Sequence, residues 1–570
     1  MNFEFLVHIN LIYYNQLKIL TISERDDKMF SIGIDFGTES GRVLIVDKYG
    51  KIVSASIVHY KHKVITERLP TEKNTFIPKG YALQHPADYL EVLQKGIPSA
   101  IHKANITNKN IAGVGVAFTS STILAIDNNL VPLCLHERYR ESPQAWVKLW
   151  KHHGAQKEAA RIYDTAIERK EKWLSAYGNN VSAEWFLPKC LETFYKDPKL
   201  FHDTNLFIEA GDWIVSILIG KIVRSNCSLG FKTFWSEADG FPYDFIKALD
   251  PKFGESMSSK LKGDIKNVGE KAGKLTKNMA EKIGLLEDTP VAVSIIDAHS
   301  SLLGIGASKE KQLTMVMGTS TCHLTLNKHY KNVPGISGSV KDAVIPGLYT
   351  YEAGQSAVGD LFGWYSKQIP FDYEQEAKRK GLSVFQLLEN KAKELEPGES
   401  GLVALDWHNG NRSILSNFSL SGTLIGMTLK TSPEEIYRSL LEASAFGTKI
   451  ILDTYKNSGL SIEEVFACGG LPLKSDLLMQ IYADVLNKNI MVSETKQASG
   501  IGAAILGAVA GNLFNKVNKA SQNMGQSFTK EYKPIKKNVI KYQKLFDIYK
   551  QIHDYFGKEN AELMWELNNI

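Results

Sequence analysis

Apolar and polar positions alternate along this chain in two distinct rhythms, and one short arrangement of them occurs twice. Ser31-Ile-Gly-Ile-Asp35-Phe-Gly37-Thr38-Glu-Ser40-Gly-Arg42-Val-Leu-Ile-Val is an apolar run, a turn of glycine and hydroxyl residues, and a second apolar run. Leu313-Thr-Met-Val-Met-Gly318-Thr319-Ser320-Thr321-Cys-His-Leu-Thr-Leu repeats it past the midpoint. Each predicts a strand, a tight turn and a returning strand. In the first half the pattern predicts strands at 30–36, 42–47 and 51–58, a helix near 86–104, and another strand-turn-strand over 111–126. Residues 140–225 read as mostly helical, and a strand over 284–297 runs into Asp297-Ala298-His299.

The second half predicts strands at 312–318 and 322–327, then helices at 433–457, 475–487 and 498–511 separated by strands. Ser432, Pro433 and Glu435 form a capping box with proline at the first helical position. Over 536–556, Val539, Tyr542, Leu545, Tyr549, Ile552 and Phe556 recur every three or four residues, which predicts an amphipathic closing helix docked on its own domain.

Length adds a constraint that the pattern does not. A chain of 570 residues exceeds the size of one core, so two or more domains are expected. Hydrophobic residues at 44% and charged residues at 23% suit a globular protein. The net charge of +5 is small for this length and gives no reason to expect a nucleic-acid partner. No stretch approaches the roughly 20 apolar residues of a membrane span. Cys134, Cys190, Cys227, Cys322 and Cys468 are scattered without a C-x-x-C pair, which argues against a disulfide framework or a zinc site and for a reducing cytoplasm. Residues 1–28 lack a basic leading region and a small-residue cleavage site; Met29 is expected to be the natural start, with 1–28 an upstream extension.

The familiar phosphate signatures are missing. There is no G-x-x-x-x-G-K-[ST], and Gly113-Val-Gly115 and Gly500-Ile-Gly502 lack the third glycine of a dinucleotide fingerprint. Asp35-Phe36-Gly37 spells DFG without a kinase catalytic loop upstream. His152-His153, adjacent and without ligand spacing, reads as a solvated helix face rather than a metal site. What remains is a set of turns whose backbone N–H groups and hydroxyls suit oxygen anions. Two such turns on two half-chains suggest related domains gripping one polyphosphate. Asp35 ends an apolar strand and either caps its own turn or holds Mg²⁺, directly or through water. Asp297 either caps a helix or accepts a proton from an attacking hydroxyl. Cys468-Gly469-Gly470, between a strand and a helix start, is either a plain turn or a bed for a flat ligand.

The order of these pieces resembles the FGGY carbohydrate kinases of the actin, hexokinase and sugar-kinase superfamily. Asp35-Phe-Gly-Thr38-x-Ser40-x-Arg42 is similar to that family's first phosphate motif, Met317-Gly318-Thr319-Ser320 to its second, Ala467-Cys-Gly469-Gly470 to its adenosine motif, and Asp297-Ala298 to its catalytic aspartate. Segments around Trp150, Glu209 to Trp213, Arg224 to Trp235, Tyr351 to Ser356, and Asp406 to Arg412 are similar to the bacterial members that phosphorylate L-ribulose. The likeness covers residues 29–557.

The resemblance implies an α/β fold of two ribonuclease H-like domains with a cleft between them. It assigns 29–305 to a sugar-binding domain and 306–557 to an ATP-binding domain with its closing helix, leaving 558–570 as a tail. It implies MgATP and L-ribulose as reactants and L-ribulose 5-phosphate as product, in L-arabinose breakdown. Gly37, Thr38, Ser40, Gly318, Thr319, Ser320 and Thr321 would meet the phosphates, and Gly469, Gly470 and Lys474 the adenosine. Asp35 would organise Mg²⁺, and Asp297 would serve as base while touching the sugar. Thr119, Ser120, Ser121, Lys232 and Glu352 would bond the sugar hydroxyls, with Trp150 against its carbons. Kinases of D-xylulose, D-ribulose or a pentitol share these motifs, and a non-catalytic actin-like ATPase would share the fold. Neither a nucleic acid nor a membrane is an expected partner, and a homodimer is left open, since the sequence sets no oligomeric state.

Overall fold

β1 (Phe30–Phe36), β2 (Ser40–Asp47) and β3 (Ile52–His59) form an antiparallel meander, and β4 (Ile111–Phe118) joins β1 in parallel. β5 (Lys271–Lys274), β6 (Pro290–Ala292) and β7 (Ile295–Ile296) complete the first sheet. β6 and β7 run parallel to β4, and β5 closes the edge antiparallel to β6. This arrangement is seen in a computed structural model that describes residues 29–526 and 528–569. The expectation about residues 1–28 therefore lies outside the described residues.

The second sheet comprises β8 (Gln312–Met317), β9 (Thr321–Asn327), β10 (Gly338–Lys341), β11 (Tyr349–Gln355), β12 (Glu464–Cys468), β13 (Ile490–Ser493) and β14 (Phe528–Tyr532). Its order is β10-β11-β9-β8-β12-β13-β14. Within the two sheets, β3-β2-β1-β4-β6 and β11-β9-β8-β12-β13 share one topology, a three-strand antiparallel meander extended by two parallel strands. The doubled Gly-Thr motif is thus the visible part of a doubled sheet.

The helices that position the site are α1 (Phe186–Lys196), α2 (Ala210–Ile219), α3 (Asn226–Lys232), α4 (Asp297–Gly304), α5 (Pro433–Asn457), α6 (Asp476–Leu486), α7 (Ala498–Ala510) and α8 (Lys536–Asp554). Strand side chains alternate between faces, and the cores divide accordingly. On β2, Val43 and Ile45 face the helical stretch 92–104, whereas Leu44 and Val46 face α7. On β12, Val465 and Ala467 pack under α5 and α6, whereas Phe466 and Cys468 turn toward α7. α5 starts at the expected residue with its capping box formed: Ser432 Oγ accepts from Glu435 N, and Ser432 N donates to Glu435 Oε2. α8 docks through Tyr542, Phe546 and Tyr549 onto the second core, and a further helix, Glu562–Asn569, adds Met564 to it. Among the described residues no helix is long and apolar enough to cross a membrane.

Two readings are corrected. The stretch 140–225 is interrupted by strands Val147–Lys148, Leu206–Glu209 and Val223–Ser225, of two to four residues, too short to leave a period in the sequence. Two of these join Leu83–Gln84 and Ile123–Ile126 in a small four-stranded sheet. His152 is not on a solvated helix face: it lies in a turn, fully buried, with Nε2 2.9 Å from Glu192 Oε2.

α7 belongs to the last sixth of the chain but lies on the first sheet. A Cβ at Gly33 of β1 would stand 1.9 Å from Gly500 O, and one at Gly115 of β4 would stand 1.9 Å from Ala503 O. Only glycine lets this helix sit so close to the strands. Gly113, Gly115 and Gly500 therefore mark contact between α7 and the sheet, and Gly502 the close approach of α7 to Ser300 on α4, so both pairs serve packing rather than a nucleotide fingerprint.

Candidate active site

The cleft opens where both Gly-Thr turns point, between the ends of the parallel strands of the two sheets, the usual ligand position in open α/β sheets. The first turn closes with Gly37 N donating to Ser40 O at 3.0 Å, and the second with Gly318 N donating to Ser320 O at 2.9 Å. Gly37, Thr38, Gly318, Thr319 and Ser320 line the cleft. Asp35, at the end of β1, does not stand unpaired: Arg42 on β2 donates to its Oδ2 at 3.0 Å, and Ser499 at the start of α7 donates to its Oδ1 at 2.8 Å.

Asp297 is the first residue of α4, and its Oδ1 accepts from Ala298 N at 2.7 Å. Burial pushes its carboxyl up to about 7, and the nearby Asp35 and Glu352 add to the rise. A carboxylate poised near neutrality suits a general base. Asp297 opens the helix and faces the cleft, but the cap position itself belongs to Ile296 and carries no side-chain capping bond.

Lys232 ends α3 and Glu352 lies mid-strand on β11, 120 residues apart in sequence. Lys232 Nζ lies 3.3 Å from Glu352 Oε1, and His299 Nε2, buried on α4, is 3.2 Å from Glu352 Oε2. Burial alone would raise the Glu352 carboxyl, but Lys232, His299 and Arg412 overcome it and hold it well below the usual carboxylate range. Trp150 Nε1 donates to Thr38 Oγ1 at 3.2 Å, tying the aromatic ring to the first turn. The Ser120 and Ser121 hydroxyls, in the loop after β4, are buried without a protein partner and line the same cleft, as does Thr119. Thr119 Oγ1 lies 2.8 Å from Thr122 Oγ1.

Gly469 lines the cleft at the end of β12, with φ +104. Four anticipated residues stand apart from it. Thr321 opens β9, and strand alternation buries its side chain while Cys322 faces the cavity instead. Ser40 is buried and serves the first turn through its backbone carbonyl. Gly470 lies just outside, and Lys474 is exposed in the turn leading to α6. At the start of α7, Thr495, Lys496 and Ser499 line the cleft although no motif marked them.

A clamp across the cleft was also missed. Arg412 Nη2 lies 3.4 Å from Glu184 Oε2, Asn180 Nδ2 donates to Ser416 O at 3.0 Å, and His153 Nε2 is 3.1 Å from Glu184 Oε1. Arg412 and His153 hold the Glu184 carboxyl down at about 2 against the opposing effect of burial. No local pattern could find partners 228 residues apart; the only signal was that Arg412 belonged to a segment carrying the resemblance.

Residues 30–304 match the N-terminal domain, and residues 313–511 the C-terminal domain, of the FGGY family of carbohydrate kinases. A ribulokinase of Staphylococcus aureus strain Newman is 50% identical over 542 residues, covering 95% of this chain and 99% of that protein. The ribulokinase of strain MSSA476 is 49% identical over the same length. In fold, the xylulose kinase of Rhodospirillum rubrum superposes with a TM-score of 0.76 at 20% identity, covering 93% of this chain and 99% of that one. The glycerol kinase of Plasmodium falciparum with ADP superposes with a TM-score of 0.71 at 16% identity, covering 92% and 97%. The doubled sheet, the paired Gly-Thr turns and these matches together make the chain a member of the FGGY family of carbohydrate kinases.

Proposed function

We propose that this kinase transfers the γ-phosphoryl group of ATP to the terminal C5 hydroxyl of L-ribulose, giving L-ribulose 5-phosphate and ADP. The observation that carries the reading is the grouping of Asp297, Lys232 and Glu352 on one side of a cleft whose other features are two Gly-Thr turns. The near-full-length likeness to proteins named ribulokinase supports the choice of sugar. The Asp297 carboxylate takes the hydroxyl proton as that oxygen bonds to phosphorus and the bond to the leaving ADP oxygen breaks. Lys232 and Glu352 bond the sugar hydroxyls, Trp150 covers its carbons, and Ser120 and Ser121 offer hydroxyls that lack protein partners. The turn amides and hydroxyls of Gly37, Thr38, Gly318, Thr319 and Ser320 hold the phosphates, and Gly469 and Gly470 the adenosine, with Lys474 beyond them.

Asp35 and Asp297 are neighbouring carboxylates in the cleft, a donor set that fits Mg²⁺, which takes one or two carboxylates together with substrate phosphates and water. Asp35 would hold the ion, which when bound supplies positive charge to the transferring phosphoryl group. Residues 29–305 and 306–557 are proposed as the two domains, with the join between the end of α4 and the start of β8.

A coupled ADP-release screen over L-ribulose, D-ribulose, D-xylulose, ribitol and glycerol tests the reading. We expect the highest kcat/KM for L-ribulose. Preference for D-xylulose or D-ribulose would reassign the sugar within the same chemistry, and sugar-independent ATP hydrolysis that no sugar raises would overturn it.

A further inference from the structure

Lys189 lies on α1, fully buried, directly under the acceptor side of the cleft. Its Nζ donates to Ser121 O at 2.7 Å and to Leu149 O at 2.8 Å. These two carbonyls come from the segments that deliver the sugar-facing groups: Ser121 is in the hydroxyl turn, and Leu149 immediately precedes Trp150. The segments are neighbours only briefly. Strand Ile123–Ile126 pairs with strand Val147–Lys148 through the single pair Ile123↔Lys148, and toward the cleft no further rung joins them. Lys189 fills that gap with a side chain and bridges the next available carbonyls.

Each segment has a reason to need this tie. Ser121 adopts φ +50, a left-handed conformation that a non-glycine residue holds only when its surroundings impose it. Two backbone carbonyls converging on one buried point require a donor between them. Burial pulls the Lys189 amine down to about 7 while Glu209 and Glu184 oppose the fall. Charged or neutral, it keeps enough N–H bonds for both carbonyls.

We infer that Lys189 is a positioning residue for sugar binding, fixing the Ser120–Ser121 hydroxyls and the Trp150 ring at one mutual distance. The inference rests on the proposed reading of this wall as the acceptor site. Lys189 touches neither the sugar nor the nucleotide in this account, so its loss acts on one substrate only.

The test compares wild type with Lys189→Met, Lys189→Arg and, as a control for losing any buried lysine, Lys260→Met. Lys260 donates to Thr204 O and His202 O, away from the cleft. Steady-state kinetics at saturating co-substrate give separate KM values for L-ribulose and ATP. For Lys189→Met we expect the L-ribulose KM to rise about 10–100-fold while the ATP KM stays within about 2-fold. Lys189→Arg should fall between Met and wild type, and Lys260→Met should leave both KM values unchanged. Equal rises in both KM values, or no rise in the sugar KM, would overturn the inference. If Lys189→Met does not fold, Lys189→Arg decides alone: a raised sugar KM with unchanged ATP KM supports the role, and two unchanged values refute it. Wild type that fails to phosphorylate L-ribulose would instead refute the acceptor-site reading, and is told apart by the first measurement.

Discussion

One rung before the first Gly-Thr turn, Asp35 stands opposite Arg42; one rung before the second, Val316 stands opposite Cys322. All four line the same cleft. The hairpins share their backbone device, a glycine N–H closing onto a serine carbonyl, but only the first carries ionised groups. The duplication kept what any oxygen anion needs and placed the charged chemistry on one wall. A second carboxylate at the Val316 position would repel phosphate and push the already raised Asp297 higher.

The contrast can be broken most severely at Asp297. Asp297→Asn should lower kcat by about 10²–10⁴-fold while leaving the ATP dissociation constant nearly unchanged, as single-turnover and nucleotide-binding measurements would reveal. In wild type the carboxyl titrates at about 7, so kcat/KM should fall as pH drops through that value and the base gains its proton. Asp35→Val, which gives the first turn the neutral flank of the second, should cost about 10²-fold in kcat and raise the Mg²⁺ concentration for half-maximal rate. Glu352→Gln tests the sugar side: the L-ribulose KM should rise about 10-fold with the ATP KM spared. Val316→Thr, a polar change on the uncharged turn, should alter kcat by less than about 3-fold. A larger effect there than at Asp35 would reverse the comparison.

The smallest expected effect is thermodynamic. Folded Asp297 holds its proton more tightly than the unfolded chain does, so its burden on stability is absent at low pH and grows as pH rises toward 7. Asp297→Asn should therefore melt about 2 °C above wild type at pH 8, with the gap shrinking toward pH 5 in calorimetry.

Much of this architecture could be read from local pattern. β1, β2 and their second-half counterparts betray themselves by apolar runs around glycine and hydroxyls, and α5 by its cap, because such signals lie within a few residues of one another. Asp35, Asp297 and Gly469 were visible because each ends an apolar strand or opens a helix. The Arg42–Asp35–Ser499 set, the Glu184–Arg412 clamp and the burial of His152 were not visible. Each depends on which distant segment the tertiary fold brings alongside, and adjacent histidines look the same whether they meet water or a buried glutamate. Thr321 was misjudged for a simpler reason: a turn motif names a stretch, but strand alternation decides which of its side chains faces the ligand.

The resting of α7 on β1 and β4 also has a consequence for the order of events during synthesis. Gly33 is among the first described residues to leave the ribosome, yet the backbone that covers it, at Gly500 and Ala504, is among the last. At about 5–20 residues per second that interval is roughly half a minute to a minute and a half. Throughout it, one face of the first sheet has no lid, so the nascent first half is a surface that chaperones or neighbouring chains can engage. Truncation anywhere before residue 498 leaves that face permanently bare, and a cut between the two family-matched regions yields a first half whose own core is incomplete.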